Sequence, residues 1–176
     1  PINVAIPSGN FGNAYSAWFG RSNGLPINQI FCSTNVNDVL RRFIETGELA
    51  PEETSPSVAP SMDIQIPSSL ERLIFDFTDS ASDFYTTLSQ EQKAKLNKEE
   101  VIELNHVFSS NTFSDDVIKG EIKSLFDEFD SIFDPHSVTS IRMALDNQDS
   151  IPTVAVATAS PEKFSNVIAP IIESST

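Results

Sequence analysis

Residues 1–13 read PINVAIPSGNFGN, and the fold turns on this stretch. Ile2 to Ile6 is a short apolar run stopped by Pro7, with the length and branched side chains of a strand covered on both faces. The following GNAYSAWFGRSNG carries Ala14, Ala17 and Trp18 at helical spacing and closes on Asn23-Gly24, a good C-cap pair. LPINQIFCST predicts a second strand. Val39, Leu40, Phe43 and Ile44 then form the apolar face of a second helix, which Asn35 or Asn37 can cap and Gly47 ends. Strand, helix, strand, helix with short connections predicts a parallel sheet covered by helices, with right-handed crossovers.

The place of PSGNFGN, between a strand end and a helix start, makes it a candidate anion site. A phosphate dianion binds well where several backbone N–H groups converge on the positive end of a helix. Glycines let the backbone come close and adopt positive φ, and Ser8, Asn10 and Asn13 can add hydrogen bonds. Gly9 and Gly12 are therefore the positions where substitution should do most harm. The loop lacks the Gly-Lys-Ser/Thr of a nucleoside triphosphate loop and lacks GxGxxG, so both nucleotide readings are weak. On the string alone, a plain turn and a phosphate loop fit equally well.

Farther along, Pro51, Pro56, Pro60 and Pro67 mark a long irregular segment of the kind that covers a site. Helical patterns then dominate. Leu70, Leu73, Ile74 and Phe77 make one stripe, and Ser89 with Gln92 suits a capping box. Ile118, Ile122, Leu125, Phe126, Phe129 and Phe133 make a longer stripe with Asp115 and Asp116 at its N-terminal end. Asp134 and Pro135 suit N-cap and N1 of another helix. Finally, IPTVAVATAS predicts a buried strand that rejoins the sheet, and Pro161 opens a closing helix. The chain thus divides into a strand-helix core with a long loop (1–77), an acidic helical region (78–133) and a closing helix-strand-helix (134–176).

A length of 176 residues with 39% hydrophobic and 20% charged residues suits one globular domain. The formal charge is −14, and residues 71–150 carry 17 Asp/Glu against 7 Lys/Arg. Such a balance repels nucleic acid and anionic membranes, which need clustered Lys/Arg. No apolar run approaches the roughly 20 residues that span a bilayer, and no basic-then-apolar leader opens the chain, so a cytoplasmic protein is expected. Cys32 is the only cysteine and reads as a small core residue; it and the isolated His106 and His136 offer no metal cluster. A strand this close to residue 1, with neither methionine nor a leading loop, suggests a piece of something longer.

Five segments resemble the threonine synthase family, in order and over nearly the whole chain. They are PSGNFGN, TNVNDVLRRFIETGE, SPSVAPSMDIQIPSSLERL, FDPHSVTSIRMAL and PTVAVATASPEKF; residues of about 78–128 are unmatched. The resemblance implies a partial pyridoxal-phosphate enzyme of fold type II, tryptophan synthase β-like: a three-layer α/β sheet flanked by helices, with an inserted helical region. The implied reaction converts O-phospho-L-homoserine and water to L-threonine and phosphate. The resemblance maps the cofactor's phosphate loop onto Ser8, Gly9, Asn10, Phe11, Gly12 and Asn13. It maps the hydroxyl that meets the pyridine nitrogen onto Thr158, a weaker partner than a carboxylate, which limits the ring's electron-sink character.

Several features depart from the family pattern. Its Schiff-base lysine sits in a Ser-Phe-Lys-Asp type motif ahead of the glycine loop, and none of Lys93, Lys95, Lys98, Lys119, Lys123 or Lys163 reads as a buried amine. This chain alone should therefore be inactive, with the missing N-terminal part supplying the lysine. Ser160 stands where the family has histidine, and Ser137, Val138, Thr139 and Ser140 follow His136 in place of small residues with a glycine or alanine. Ser160 keeps open a family-like binding module without catalysis. A pyridoxal-phosphate dehydratase is the other alternative, and the SMDI and DPH segments argue against it.

Overall fold

A computed structural model describes residues 1–173. The main sheet has four strands in the order β5-β2-β1-β6, all parallel: β1 (Ile2–Pro7), β2 (Ile27–Thr34), β5 (Phe108–Thr112) and β6 (Thr153–Ala155). The helix α1 (Gly12–Ser22) joins β1 to β2, and α2 (Val39–Thr46) follows β2, as the opening pattern predicts.

Side-chain alternation sorts the strands' residues to two faces, as a pleated sheet requires. Ile6, Ile30 and Cys32 enter one core with α1, α2, α3 (Leu70–Phe77), α4 (Ala81–Glu91) and α5 (Lys98–Val107). Ala5 and Phe31 point the other way, into a second core with α6 (Asp115–Phe129), α7 (Pro135–Asp146) and α8 (Ser165–Glu173). Helices thus cover both faces, the three-layer arrangement expected. Phe11, Phe43 and Phe108 are fully buried, and each contributes on the order of 2–3 kcal/mol by leaving water.

Local signals misplace several details. Asp38, not Asn35 or Asn37, occupies the N-cap of α2, and it makes no side-chain capping bond. The Asn35 amide instead donates to Asp63 at 2.7 Å and to the Ala59 carbonyl at 3.2 Å, while the Asn37 amide donates to Asp63 at 3.0 Å and the Ser55 carbonyl at 2.8 Å. Both asparagines therefore pin the proline-rich loop, whose only regular element is a 3-10 turn at Pro60–Met62. Ser89 lies inside α4; the capping box belongs to Asn97 and Glu100 at the start of α5. Residues 78–133 are mainly helical but also supply β5, and Ala94–Lys95 (β4) pairs antiparallel with Glu48–Leu49 (β3). The sequence FSSNT lacks an apolar period, so its strand escapes detection; Phe108 is wholly buried, yet Asn111 is exposed. Likewise β6 is an edge strand rather than a buried one, with Val154 49% exposed.

Two sequence expectations hold closely. Gly47 is a left-handed C-cap at φ 73°, and a Cβ there would clash with Val101 Cγ2, so glycine is required twice over. Cys32 is fully buried, and desolvation pushes its thiol up to about 12 against a minor lowering from Ser8. A disulfide reagent at pH 8 is expected to leave Cys32 unlabelled in the folded protein and to label it fully in urea. Rapid native labelling would contradict this burial.

Candidate cofactor site at the strand ends

Parallel strands bring their C-terminal ends to one edge, where open α/β sheets bind ligands. The connections leaving β1, β2 and β6 meet there, tied by Ser8 N–H to the Ser33 carbonyl (2.8 Å) and Val156 N–H to the Ala5 carbonyl (2.9 Å).

The PSGNFGN loop has an unusual backbone. Phe11 takes the left-handed conformation, φ 68° and ψ 8°, and α1 begins at the next residue. Left-handed followed by helical geometry points successive N–H groups into one concavity, a nest for anions. Among the described residues, no acceptor is bonded to the backbone N–H groups of residues 9–14. The helix's first turn holds no acidic residue to oppose an anion. The expected positive φ at a glycine is corrected: neither Gly9 nor Gly12 has it, and Phe11 carries the strain. Phe11 can do so because its ring is anchored, 1% exposed and 5.5 Å from the Phe108 ring.

Each predicted loop residue has a distinct place. Ser8 is buried and its hydroxyl donates to the Ile6 carbonyl at 3.0 Å, so the side chain supports the strand end rather than the concavity. Gly9 abuts the Pro60–Met62 turn: a Cβ would lie 2.7 Å from the Ser61 carbonyl oxygen and 3.2 Å from Met62 Cα. Gly12 has room, since a Cβ would meet only Ser69 Oγ at 3.7 Å. Asn10 accepts from Ser68 Oγ at 3.3 Å and its carbonyl accepts from Ser69 N–H at 2.9 Å, holding the loop to the start of α3. Asn13 is exposed. Thr158 is also exposed, in the connection after β6, and its backbone N–H donates to Ser137 Oγ at 2.9 Å.

Beneath this edge lies a buried polar group, of which the sequence marked Asp134 as a helix cap and the run after His136 as a departure from the family pattern. Asp134 caps α7, accepting from the backbone N–H of His136 (2.9 Å) and Ser137 (3.4 Å). It also accepts from His136 Nδ1 at 2.8 Å and from the Ser137 hydroxyl. Burial alone would raise the Asp134 carboxyl, but the His136 and Ser137 hydrogen bonds outweigh it and hold the group below the usual carboxylate range. His136 Nε2 accepts from Ser61 N–H at 3.1 Å. Thr139 Oγ1 pairs with Ser33 Oγ at 2.7 Å, and Ser140 Oγ donates to the Val156 carbonyl at 2.9 Å. The lysines are exposed except Lys123, which is half-buried and paired with Asp127, so no described lysine is a buried amine. His106 is exposed, and no metal-binding group occurs among the described residues. No described helix is long and apolar enough to cross a membrane.

The parallel sheet between two helical layers is the α/β arrangement of a pyridoxal-phosphate fold type II fragment. The chain superposes on a pyridoxal-phosphate-bound threonine synthase from Brucella melitensis with TM-score 0.93 and 29% identity, over 97% of this chain and 38% of that one. A threonine synthase from Pseudomonas aeruginosa is 29% identical over 173 residues, 95% of this chain and 37% of that protein. The human protein threonine synthase-like 1 is 30% identical over 96% of this chain and 24% of its own length. No protein-family model matches. The chain is thus similar to one segment of threonine synthases over nearly all of its own length, and it spans little more than a third of the Pseudomonas relative's length.

Proposed function

We propose that this chain is the C-terminal part of a threonine synthase and provides its cofactor's phosphate cradle. The single observation that carries the reading is the set of unbonded N–H groups at residues 9–14, gathered by the left-handed Phe11 at the positive end of α1. These groups and the short loop around Asn10 and Asn13 suit a phosphate dianion. Gly12 leaves space beside them. The exposed Thr158 hydroxyl, on the neighbouring connection, is suited to meet the pyridine nitrogen. When bound, pyridoxal phosphate supplies the electron sink for carbanion chemistry on the amino-acid substrate. The substrate is O-phospho-L-homoserine, converted with water to L-threonine and phosphate. The lysine that attaches the cofactor comes from the N-terminal part of the protein, so this chain alone is inactive. The reading also places the protein in the cytoplasm.

A second reading, a family member without catalysis, is favoured by Ser160 at the usual histidine position and by the likeness to threonine synthase-like 1. One experiment separates them. The full-length protein, loaded with pyridoxal phosphate and reduced with borohydride, should carry the cofactor on a lysine outside these 176 residues and should release phosphate from O-phosphohomoserine. Cofactor retention without phosphate release would support the second reading. Trapping on Lys93, Lys95, Lys98, Lys119, Lys123 or Lys163 would overturn both the division of labour and the site.

A further inference from the structure

We infer that Asp134, His136 and Ser137 form one positioning unit that fixes the separation of the two walls of the cofactor site. The inference rests on the reading of that site given above, and concerns residues to which that reading assigns no part.

One wall is the glycine loop. Gly9 leans on Ser61 and Met62, and the Ser61 N–H donates to His136 Nε2 at 3.1 Å. The other wall is the Thr158 connection, whose N–H donates to Ser137 Oγ at 2.9 Å. Both links end on one carboxylate: His136 Nδ1 meets Asp134 Oδ1 at 2.8 Å, and the Ser137 hydroxyl donates to Asp134 Oδ2.

Proton accounting leaves a single arrangement. Nε2 accepts the hydrogen bond from Ser61 N–H, so the ring's own proton sits on Nδ1 and points at Asp134. Ser137 has one hydroxyl proton, which goes to Asp134, and its lone pair takes the Thr158 N–H. Every donor has its acceptor. Water offers no alternative, since Asp134 and Ser137 are 0% exposed and His136 3%. The imidazole is a rigid spacer with a nitrogen at each end, and the Phe164 ring 4.8 Å away backs it. Capping α7 needs only the backbone N–H bonds to Asp134; the side-chain bonds run outward to loops distant in sequence. That surplus distinguishes a positioning role from a cap.

The test uses two substitutions that each keep one end of the spacer, made in the full-length protein. An asparagine amide overlays Nδ1 and can still donate to Asp134, but nothing reaches Ser61. A glutamine amide overlays Nε2, and its oxygen still accepts from Ser61. His136→Asn is expected to weaken pyridoxal phosphate binding at least tenfold and to speed amide hydrogen exchange at Ser61 and Met62 at least tenfold in the cofactor-free protein. His136→Gln, which keeps the Ser61 link and loses only the Asp134 end, is expected to fall between the parent protein and His136→Asn in both. Equal losses in the two variants, tracking a common fall in melting temperature, would reduce His136 to a packing residue and overturn the inference. Unchanged values in both would overturn it as well.

Should His136→Asn fail to fold, Ser137→Ala probes the other link, with threefold to tenfold weaker cofactor binding and faster exchange at the Thr158 amide expected. Parent-like values there would overturn the inference. If the parent protein itself binds no pyridoxal phosphate, the cofactor reading falls. The exchange measurements on the cofactor-free protein then decide the spacer by themselves, and identical exchange in parent and variants sinks it.

Discussion

Asp134→Asn is expected to lower the unfolding free energy by about 3 kcal/mol at neutral pH, among the larger single effects the chain can show. The carboxylate accepts from two backbone N–H groups, an imidazole nitrogen and a hydroxyl, while fully removed from water. An amide keeps one acceptor oxygen and turns an NH2 toward groups that are themselves donors. It thus loses part of a helix cap and strands buried polar atoms together. The pH dependence has a definite sign. The Asp134 carboxyl is depressed in the folded state, against the upward push of burial, by its bonds to His136 and Ser137. Its contribution is present in full above the unfolded carboxyl value near about 3.9, and fades as the pH falls through the lower folded value. The difference between parent and variant should therefore shrink in acid. Urea unfolding at pH 7 and at pH 3 checks this, and an equal difference at both would sink the carboxylate account.

Gly9→Val should cost about 1–3 kcal/mol by overpacking and reduce pyridoxal phosphate retention in the full-length protein at least tenfold. A Cβ at Gly9 falls 2.7 Å from a backbone oxygen, and backbone does not swing aside as the end of a side chain would. Gly12→Ala is the contrast: it meets only Ser69 Oγ at 3.7 Å and sits in helical conformation, so stability should change by less than about 1 kcal/mol. A Gly12→Ala loss as large as that of Gly9→Val would show that the clash with Ser61 is not what makes Gly9 necessary. Retention of cofactor by Gly9→Val at the parent level would remove the loop from the phosphate site.

The pairing of Gly9 with Ser61 shows why the sequence supplied only part of the site. PSGNFGN announces a tight loop between a strand and a helix, and its glycines look interchangeable as carriers of positive φ. In the folded chain that conformation belongs to Phe11, whose ring is clamped against Phe108 from a strand almost a hundred residues later. Gly9 is needed for an approach by a turn fifty residues downstream. Asn35 and Asn37 show the same limit, since they read as caps for the adjacent helix and serve a distant carboxylate, Asp63. By contrast Asp134-Pro135 and Gly47 were legible at once, because capping is settled within one turn of the chain.

By itself, the sequence determined what depends on neighbours along the chain: the apolar periods of β1, β2, α1 and α2, the parallel α/β class, the glycine loop at a strand end, and a lone cysteine kept from solvent. Only the tertiary structure decided what depends on residues far apart. It recruited the polar FSSNT as a strand because an apolar sheet edge at β2 was there to pair with it, left β6 exposed at the other edge, and bound Ser61 and Thr158 to one buried carboxylate. Hydrophobic period and capping act over three to four residues and can be read in order. Hydrogen bonds between loops exist only once the sheet has brought the strand ends together.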